Sequence, residues 1–274
     1  MVEQSSYVWC DGAISPSDQP LLNGFDRGAT VGLGCFETFC TVAGECHSFD
    51  LHFGRFLIAS EVLGGAIPEQ GELQRAVREL LGKNDLLHGR ARVRMTLYAT
   101  QAGCFSLVIT AVAVGPMEQG ELKLALSSFT VNSCSPLAGI KSTSYAGNVL
   151  ALEFAQRQGA DEALMLNQAA EVCEGATSNV FWVKMGTIYT PSMSTGCLPG
   201  VTRHLVIELC RKHGIAVEEV QAPIKSILGA EAAFVTNAVH GIRAVSQIDE
   251  VQFASPSHPL LVKLATMYSD LVGC

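Results

Sequence analysis

From Arg90 to Tyr98 apolar and polar residues alternate without a break: Ala91, Val93, Met95 and Leu97 fall on one side, and Arg90, Arg92, Arg94, Thr96 and Tyr98 on the other. Side chains alternate across a strand with a period of two, whereas a helix would scatter these residues around its whole circumference. The pattern predicts a half-buried β-strand whose second face carries cations and hydroxyl groups. That face reads either as a solvated sheet surface or as one turned toward a carboxylated small molecule. It is not a nucleic-acid footprint, because the arginines are few and the chain's formal net charge is -8.

The neighbouring segments supply partners for such a strand. Tyr7 to Ala13 reads as a short strand closing in an Asp11-Gly12 turn. A glycine-rich segment from Gly24 to Gly34 leads into the apolar run Cys35 to Val42, a second strand, and is assigned to turns because phosphate-binding glycine loops lead into helices. Asp50 is a candidate N-cap for a helix with Phe53, Phe56, Leu57 and Leu63 on one face, while His52 and Arg55, three apart, share another side. A helix from Glu69 to Leu81 buries Leu73, Ala76, Val77 and Leu80 and stops at Gly82. Phe105 to Val114 is a further strand.

Gly115 to Gly120 has the composition of a linker, so the predicted organisation is a small N-terminal α/β domain over 1–115, a linker over 116–121 and a larger C-terminal domain over 122–274. The second part opens with a strand at Leu122 to Leu126. Ser144 is a candidate N-cap for a helix burying Tyr145, Val149 and Leu152 and ending at Gly159. Strands follow near Ala163 to Leu166, Val180 to Val183 and Thr187 to Pro191, then a helix that Leu198 to Thr202 opens and that runs to Cys210. The fold class expected is a two-domain α/β (α+β) protein.

Hydrophobic residues make up 48% against 16% charged, the balance of a well-buried globular chain. The ten cysteines include no C-x-x-C pair and face no histidine pair at ligand spacing, so they read as reduced thiols of a cytosolic protein, with no metal centre. No basic leader precedes an apolar run and no uncharged apolar run reaches spanning length, so neither secretion nor membrane insertion is expected.

One lysine stands apart. Between Lys123 and Glu153 the only charged residue is Lys141. An ammonium group in a dry setting has a depressed pKa and becomes a nucleophile or a base, which makes Lys141 a candidate Schiff-base lysine; the plainer alternative is a surface lysine between a strand and a helix. Further along, Leu198-Pro199-Gly200-Val201-Thr202 opens a helix with a glycine, free amides and a hydroxyl, a setting that suits a phosphate as well as an ordinary helix start.

The order of Arg55, Ile140-Lys141-Ser142, Tyr145, Glu174-Gly175 with Ser178-Asn179 and Phe181, Thr190-Pro191, and Gly200 with Thr202-Arg203 resembles the class IV, fold-type IV pyridoxal-phosphate enzymes. These comprise branched-chain aminotransferases, D-amino-acid aminotransferases and 4-amino-4-deoxychorismate lyases. The resemblance runs from about Asp26 to Asp249. It implies a cytoplasmic homodimer of two-domain chains, pyridoxal 5'-phosphate held between the domains, and a small amine or amino-acid substrate processed through an external aldimine and lysine-mediated proton transfer. Carried over, it gives Lys141 the covalent bond to the cofactor and Glu174 the pyridine nitrogen. Arg55, Val201, Thr202 and Thr236 fall to the phosphate, and Tyr145 to the ring hydroxyl. Asn179 would hold the turn that aims Glu174, or touch the cofactor itself.

Within the family, Thr236-Asn237 followed by Gly241-Ile242 and Val245 resembles the lyases, which release 4-aminobenzoate for folate biosynthesis. The hairpin Ala99 to Gly103 lacks the arginine that many relatives place there for a substrate carboxylate, a task that Arg92 or Arg94 could take. Phe36, Thr38, Arg94, Asn237 and His240 are the candidate substrate residues. The lyase is the expected activity, an aminotransferase the alternative, and a non-catalytic pyridoxal-phosphate-binding protein a third reading.

Overall fold

The computed structural model describes residues 5–117 and 120–273, so Glu118 and Gln119 of the expected linker lie outside the described residues. Two compact units emerge: Met1–Pro116 with Ile140–Ser144, and Met117–Gly139 with Tyr145–Cys274.

The first unit contains β1 (Tyr7–Cys10), β2 (Ala13–Pro16), α1 (Arg27–Val31), β3 (Gly34–Val42), α2 (Phe49–Val62), α3 (Gln70–Lys83), β4 (Arg90–Ala99) and β5 (Phe105–Ala113). Its sheet runs β2-β1-β5-β4-β3, antiparallel at every pairing. The alternation in β4 is realised: Ala91, Val93, Met95 and Leu97 are buried in one core with Leu73, Ala76, Val77 and Leu80 of α3 and Phe56 of α2. Asp50 does not cap α2, which starts one residue earlier at Phe49 behind Ser48 in the left-handed region.

Ile140–Ser144 joins this unit although the sequence reading assigned it to the second. The reason is backbone pairing with β3. Phe36 N–H donates to Lys141 O at 2.8 Å, Thr143 N–H to Gly34 O at 2.9 Å, and Cys35 and Ser142 form an antiparallel bridge. Gly34 permits this approach, since a Cβ there would lie 2.5 Å from Leu97 O and 2.9 Å from Thr143 Oγ1.

The second unit contains β6 (Leu122–Leu126), α4 (Ala146–Arg157), β7 (Glu162–Leu166), β8 (Val172–Gly175), β9 (Asn179–Lys184), β10 (Thr187–Pro191), α5 (Val201–Lys212), β11 (Val217–Val220), α6 (Ile224–Leu228), β12 (Ala232–Asn237), β13 (Gly241–Ile248), β14 (Val251–Gln252) and α7 (Pro259–Val272). They build a mixed sheet in the order β11-β10-β9-β12-β13-β6-β7-β8, with β14 paired to β13. Phe181 and Phe234 stack on the face covered by α5 and α7. Trp182, Val180 and Val235 fill the opposite core.

Two expectations for α4 fail. Ser144 does not cap it, because its hydroxyl donates to Gly32 O at 3.0 Å. Val149 is exposed, and the helix packs through the small residues Ala151 and Ala155 against Ala125, Ala163 and Ala176. Small side chains on both surfaces let α4 lie close to the sheet, so the bulkier Val149 turns away. The nine described cysteines are free thiols. Among the described residues no helix is long and apolar enough to cross a membrane.

Candidate active site

In the first unit the antiparallel register sets Thr38 opposite Arg94 and Phe36 opposite Thr96. Residues opposite or diagonal on paired strands share a face, so these four side chains stand together on the side away from the apolar row of β4. The Arg94 guanidinium carbon lies 3.6 Å from the centroid of the buried Phe36 ring, and Arg94 Nε donates to Thr96 Oγ1 at 3.3 Å. Lys141 Nζ is 4.4 Å from the same centroid. The pairing of 140–144 with β3 thus delivers the half-buried lysine to a ring that already carries a guanidinium, and the aromatic quadrupole holds both cations near it. Of the residues singled out in the sequence, Lys141, Phe36, Thr38 and Arg94 are brought together here.

Arg55 has a different immediate partner. Glu37 stands on the core row of β3 between Cys35 and Phe39 and is completely buried. Its carboxylate accepts Arg55 Nε at 2.9 Å, Arg55 Nη2 at 2.6 Å, His52 Nδ1 at 3.0 Å and the Thr38 amide at 2.8 Å. Burial pushes the carboxyl's pKa up, but the Arg55 charge and the His52 hydrogen bond outweigh it and hold Glu37 at about 2. Glu37 was not found from sequence, yet the signal existed: an acid on the inward row of an apolar strand demands a cation, and His52 and Arg55 share a side of the following helix.

In the second unit, Glu174 near the end of β8 accepts the Leu198 N–H at 2.8 Å through Oε2. Asn179, first in β9, donates Nδ2 to Leu198 O at 2.8 Å. Three residues after Leu198 α5 begins, with Gly200 as an extended N-cap, no side-chain capping bond, and Val201 and Thr202 buried. Thr236 on β12 pairs with Asn179 in register, and its buried Oγ1 has no hydrogen-bond partner. A buried hydroxyl without a partner is costly, and an uncapped helix start leaves amide donors unmet. A bound phosphate would satisfy both, so these residues fit the cofactor that the sequence implies.

Tyr145 and Asn148 converge on one carbonyl, Ala176 O, at 2.7 and 3.0 Å. The phenol has a single proton, and a carbonyl can only accept it; a contact between this phenol oxygen and a ring hydroxyl would make Tyr145 the acceptor. The turn after Glu174 is fixed from its other side by Glu162, another residue missed in the sequence. Its buried carboxylate accepts the amides of Ala163, Ala176 and Thr177 and the hydroxyls of Thr177 and Ser178. Asn237 is occupied with its own turn, where Oδ1 accepts the amides of Val239 at 3.1 Å and His240 at 2.8 Å. His240 itself is half-buried on that turn. Among the described residues no cluster of three or more His, Cys, Asp or Glu suits a metal ion.

Comparison with known proteins matches the amino-transferase class IV family model to residues 34–248. The aminodeoxychorismate lyase of Bacillus subtilis is 29% identical over 95% of this chain and 93% of its own length. A branched-chain-amino-acid aminotransferase of Pseudomonas aeruginosa is 27% identical over 100% of this chain and 95% of its own. The branched-chain aminotransferase of Thermoproteus uzoniensis, solved with norvaline, superposes with a TM-score of 0.91 at 26% identity, covering 98% of this chain and 95% of that one.

Proposed function

The chain belongs to the amino-transferase class IV family, the fold-type IV pyridoxal-phosphate enzymes, and within it we propose that the protein cleaves 4-amino-4-deoxychorismate to 4-aminobenzoate and pyruvate, as a cytoplasmic homodimer. The carrying observation is the pair of cations on the Phe36 ring: an amine fit to move a proton stands beside a guanidinium fit to receive a carboxylate. A substrate with both an amine and a carboxylate answers that arrangement. The likeness to the Bacillus subtilis lyase along nearly the whole chain favours a lyase.

Pyridoxal 5'-phosphate, when bound, supplies an electron sink that stabilises negative charge at the amine-bearing carbon. Lys141 would hold it through Nζ, and Glu174 would keep its ring nitrogen protonated. Thr202, Thr236 and the amides at the start of α5 would receive its phosphate, and Arg55 would contribute charge. Once the substrate's amine has displaced it from the cofactor, Lys141 Nζ would be free to take the proton from the amine-bearing carbon. The enolpyruvyl ether bond then breaks, the ring becomes aromatic, and the departing enolate gains a proton to become pyruvate. Arg94 fixes the substrate by its carboxylate while this happens, and the face of the Phe36 ring holds the two cations near it.

An aminotransferase is the second reading, favoured by the match to the Pseudomonas aeruginosa enzyme over the entire chain. The test is to supply purified protein loaded with pyridoxal phosphate with aminodeoxychorismate, and separately with D- and L-amino acids plus 2-oxo acids. Release of pyruvate and 4-aminobenzoate, abolished by Lys141→Ala, is the expected result. Amino transfer with no cleavage would replace the lyase reading by the second, and a visible cofactor band that Lys141→Ala leaves unchanged, or no band at all, would sink both.

A further inference from the structure

We propose that Asn179 is a positioning residue of the cofactor site, acting through the Leu198 backbone on both Glu174 and the start of α5, and that Gly200 is a glycine because Asn179 fills the space its side chain would need. The inference rests on the reading of Glu174 and the α5 start as cofactor ligands given above.

Leu198 is held at both of its backbone groups. Its N–H goes to Glu174 Oε2 at 2.8 Å, and its carbonyl receives Asn179 Nδ2 at 2.8 Å together with the Gly200 N–H at 2.8 Å. With both flanking peptides tied, this residue cannot turn without moving Glu174 on one side and the helix start on the other. Asn179 is itself buried and fixed by the sheet, in register with Thr236. One side chain therefore touches the link between the carboxylate and the helix start, and sits opposite the unpartnered hydroxyl.

Gly200 gives independent support. Its φ of -63° and ψ of 135° are open to every residue type, so conformation does not call for glycine here. Space does. A Cβ on residue 200 would lie 1.9 Å from Asn179 Oδ1 and 3.1 Å from its Cγ, with Arg203 Cβ next at 3.3 Å. Asn179 and Gly200 are a matched pair, and the amide that fills the gap already has its Nδ2 on Leu198 and its Oδ1 against Gly200. That arrangement suits a residue acting through its neighbours rather than on the cofactor directly.

The experiment compares dissociation constants of pyridoxal phosphate and of its 1-deaza analogue, in which CH replaces the ring nitrogen, for the whole chain and for Asn179→Ala, Gly200→Ala and the double variant. Binding is read from visible absorbance and tryptophan quenching, not turnover. Wild type is expected to prefer the natural cofactor. Asn179→Ala should weaken it about tenfold, the loss of one orienting hydrogen bond, and narrow the preference because Glu174 is no longer aimed. Gly200→Ala alone should weaken binding more than about tenfold, but by less than about threefold when Asn179 is already alanine. Should Asn179→Ala fold poorly, Asn179→Asp keeps the size, sets an oxygen against Leu198 O, and should narrow the preference likewise. Equal loss for both cofactors, or the same Gly200→Ala penalty in both backgrounds, overturns the proposal. Absence of any preference in wild type overturns instead the reading of Glu174 on which it rests, and the proposal with it.

Discussion

Glu37→Gln is expected to destabilise the first unit sharply. The carboxylate is 0% exposed and the Arg55 side chain 12%, so removing the anion leaves a cation with little access to water. Breaking a buried pair from one side costs about 3–5 kcal/mol. The proton affinity gives a second estimate. A carboxyl that falls from its usual 4.5 to about 2 on folding contributes roughly 3 kcal/mol of stability while it is ionised in both states. The sign follows from the depression: the contribution is complete above the unfolded value of 4.5 and is lost as pH falls toward 2. Urea unfolding in a Trp182→Phe background isolates the signal of Trp9, which lies in the same core as the α2 and β3 residues. The gap between parent and Glu37→Gln should be about 3 kcal/mol or more near about pH 6 and close almost completely by about pH 2. A variant as stable as its parent near neutrality, or a gap that ignores pH, would refute the ion-pair argument.

Thr236→Val should work in opposite directions on the empty and the loaded protein. It removes a buried hydroxyl that has no partner, raising apoprotein stability by about 1 kcal/mol in thermal unfolding, while weakening pyridoxal-phosphate affinity roughly tenfold by equilibrium dialysis. Arg94→Leu should raise KM for a carboxylated substrate about 10- to 100-fold, the worth of a charged hydrogen bond, with Arg94→Lys intermediate; an unchanged KM in steady-state kinetics would remove Arg94 from substrate binding.

How far the sequence could be read depended on the range of the interaction involved. The β4 alternation and the α3 stripe were legible because their information lies within ten or so residues, and the buried rows came out as the pattern required. Lys141 drew notice through a local absence of charge, but its membership of the first unit was not legible. That depends on pairing between 140–144 and β3, roughly a hundred residues earlier, and period-two patterns do not name partners. The α4 stripe was misread because hydrophobicity was taken as burial, whereas a close helix-on-sheet contact selects alanine over valine. The backbone of Leu198 left no trace in the sequence at all. A main-chain group that receives two side chains is fixed by tertiary geometry, and any residue at that position would look the same on paper.

Glu162 shows the other way to bury a carboxylate, and it carries a prediction that separates the two. Glu37 is balanced by charge; Glu162 is balanced by three amides and two hydroxyls, with bonds from 2.6 to 3.1 Å. In Glu162→Gln the remaining oxygen can keep the amides of Ala163 and Ala176, which Oε1 accepts now. The new NH2 would face the Thr177 amide, which cannot reverse, and the Thr177 and Ser178 hydroxyls, which can rotate to become acceptors. One lost amide bond with some repulsion costs about 1–3 kcal/mol, whereas Glu162→Ala takes this acceptor from all five donors, the Ala176 N–H falling back on Ala163 O at 3.2 Å, and should cost more. In a Trp9→Phe background, where Trp182 reports on the second unit, the glutamine variant should melt roughly 2–4 °C lower per kcal/mol lost and the alanine variant lower again. Equal melting of the two variants would mean that the hydroxyls do not rotate to rescue glutamine, and that the turn after Glu174 depends on the carboxylate's charge after all.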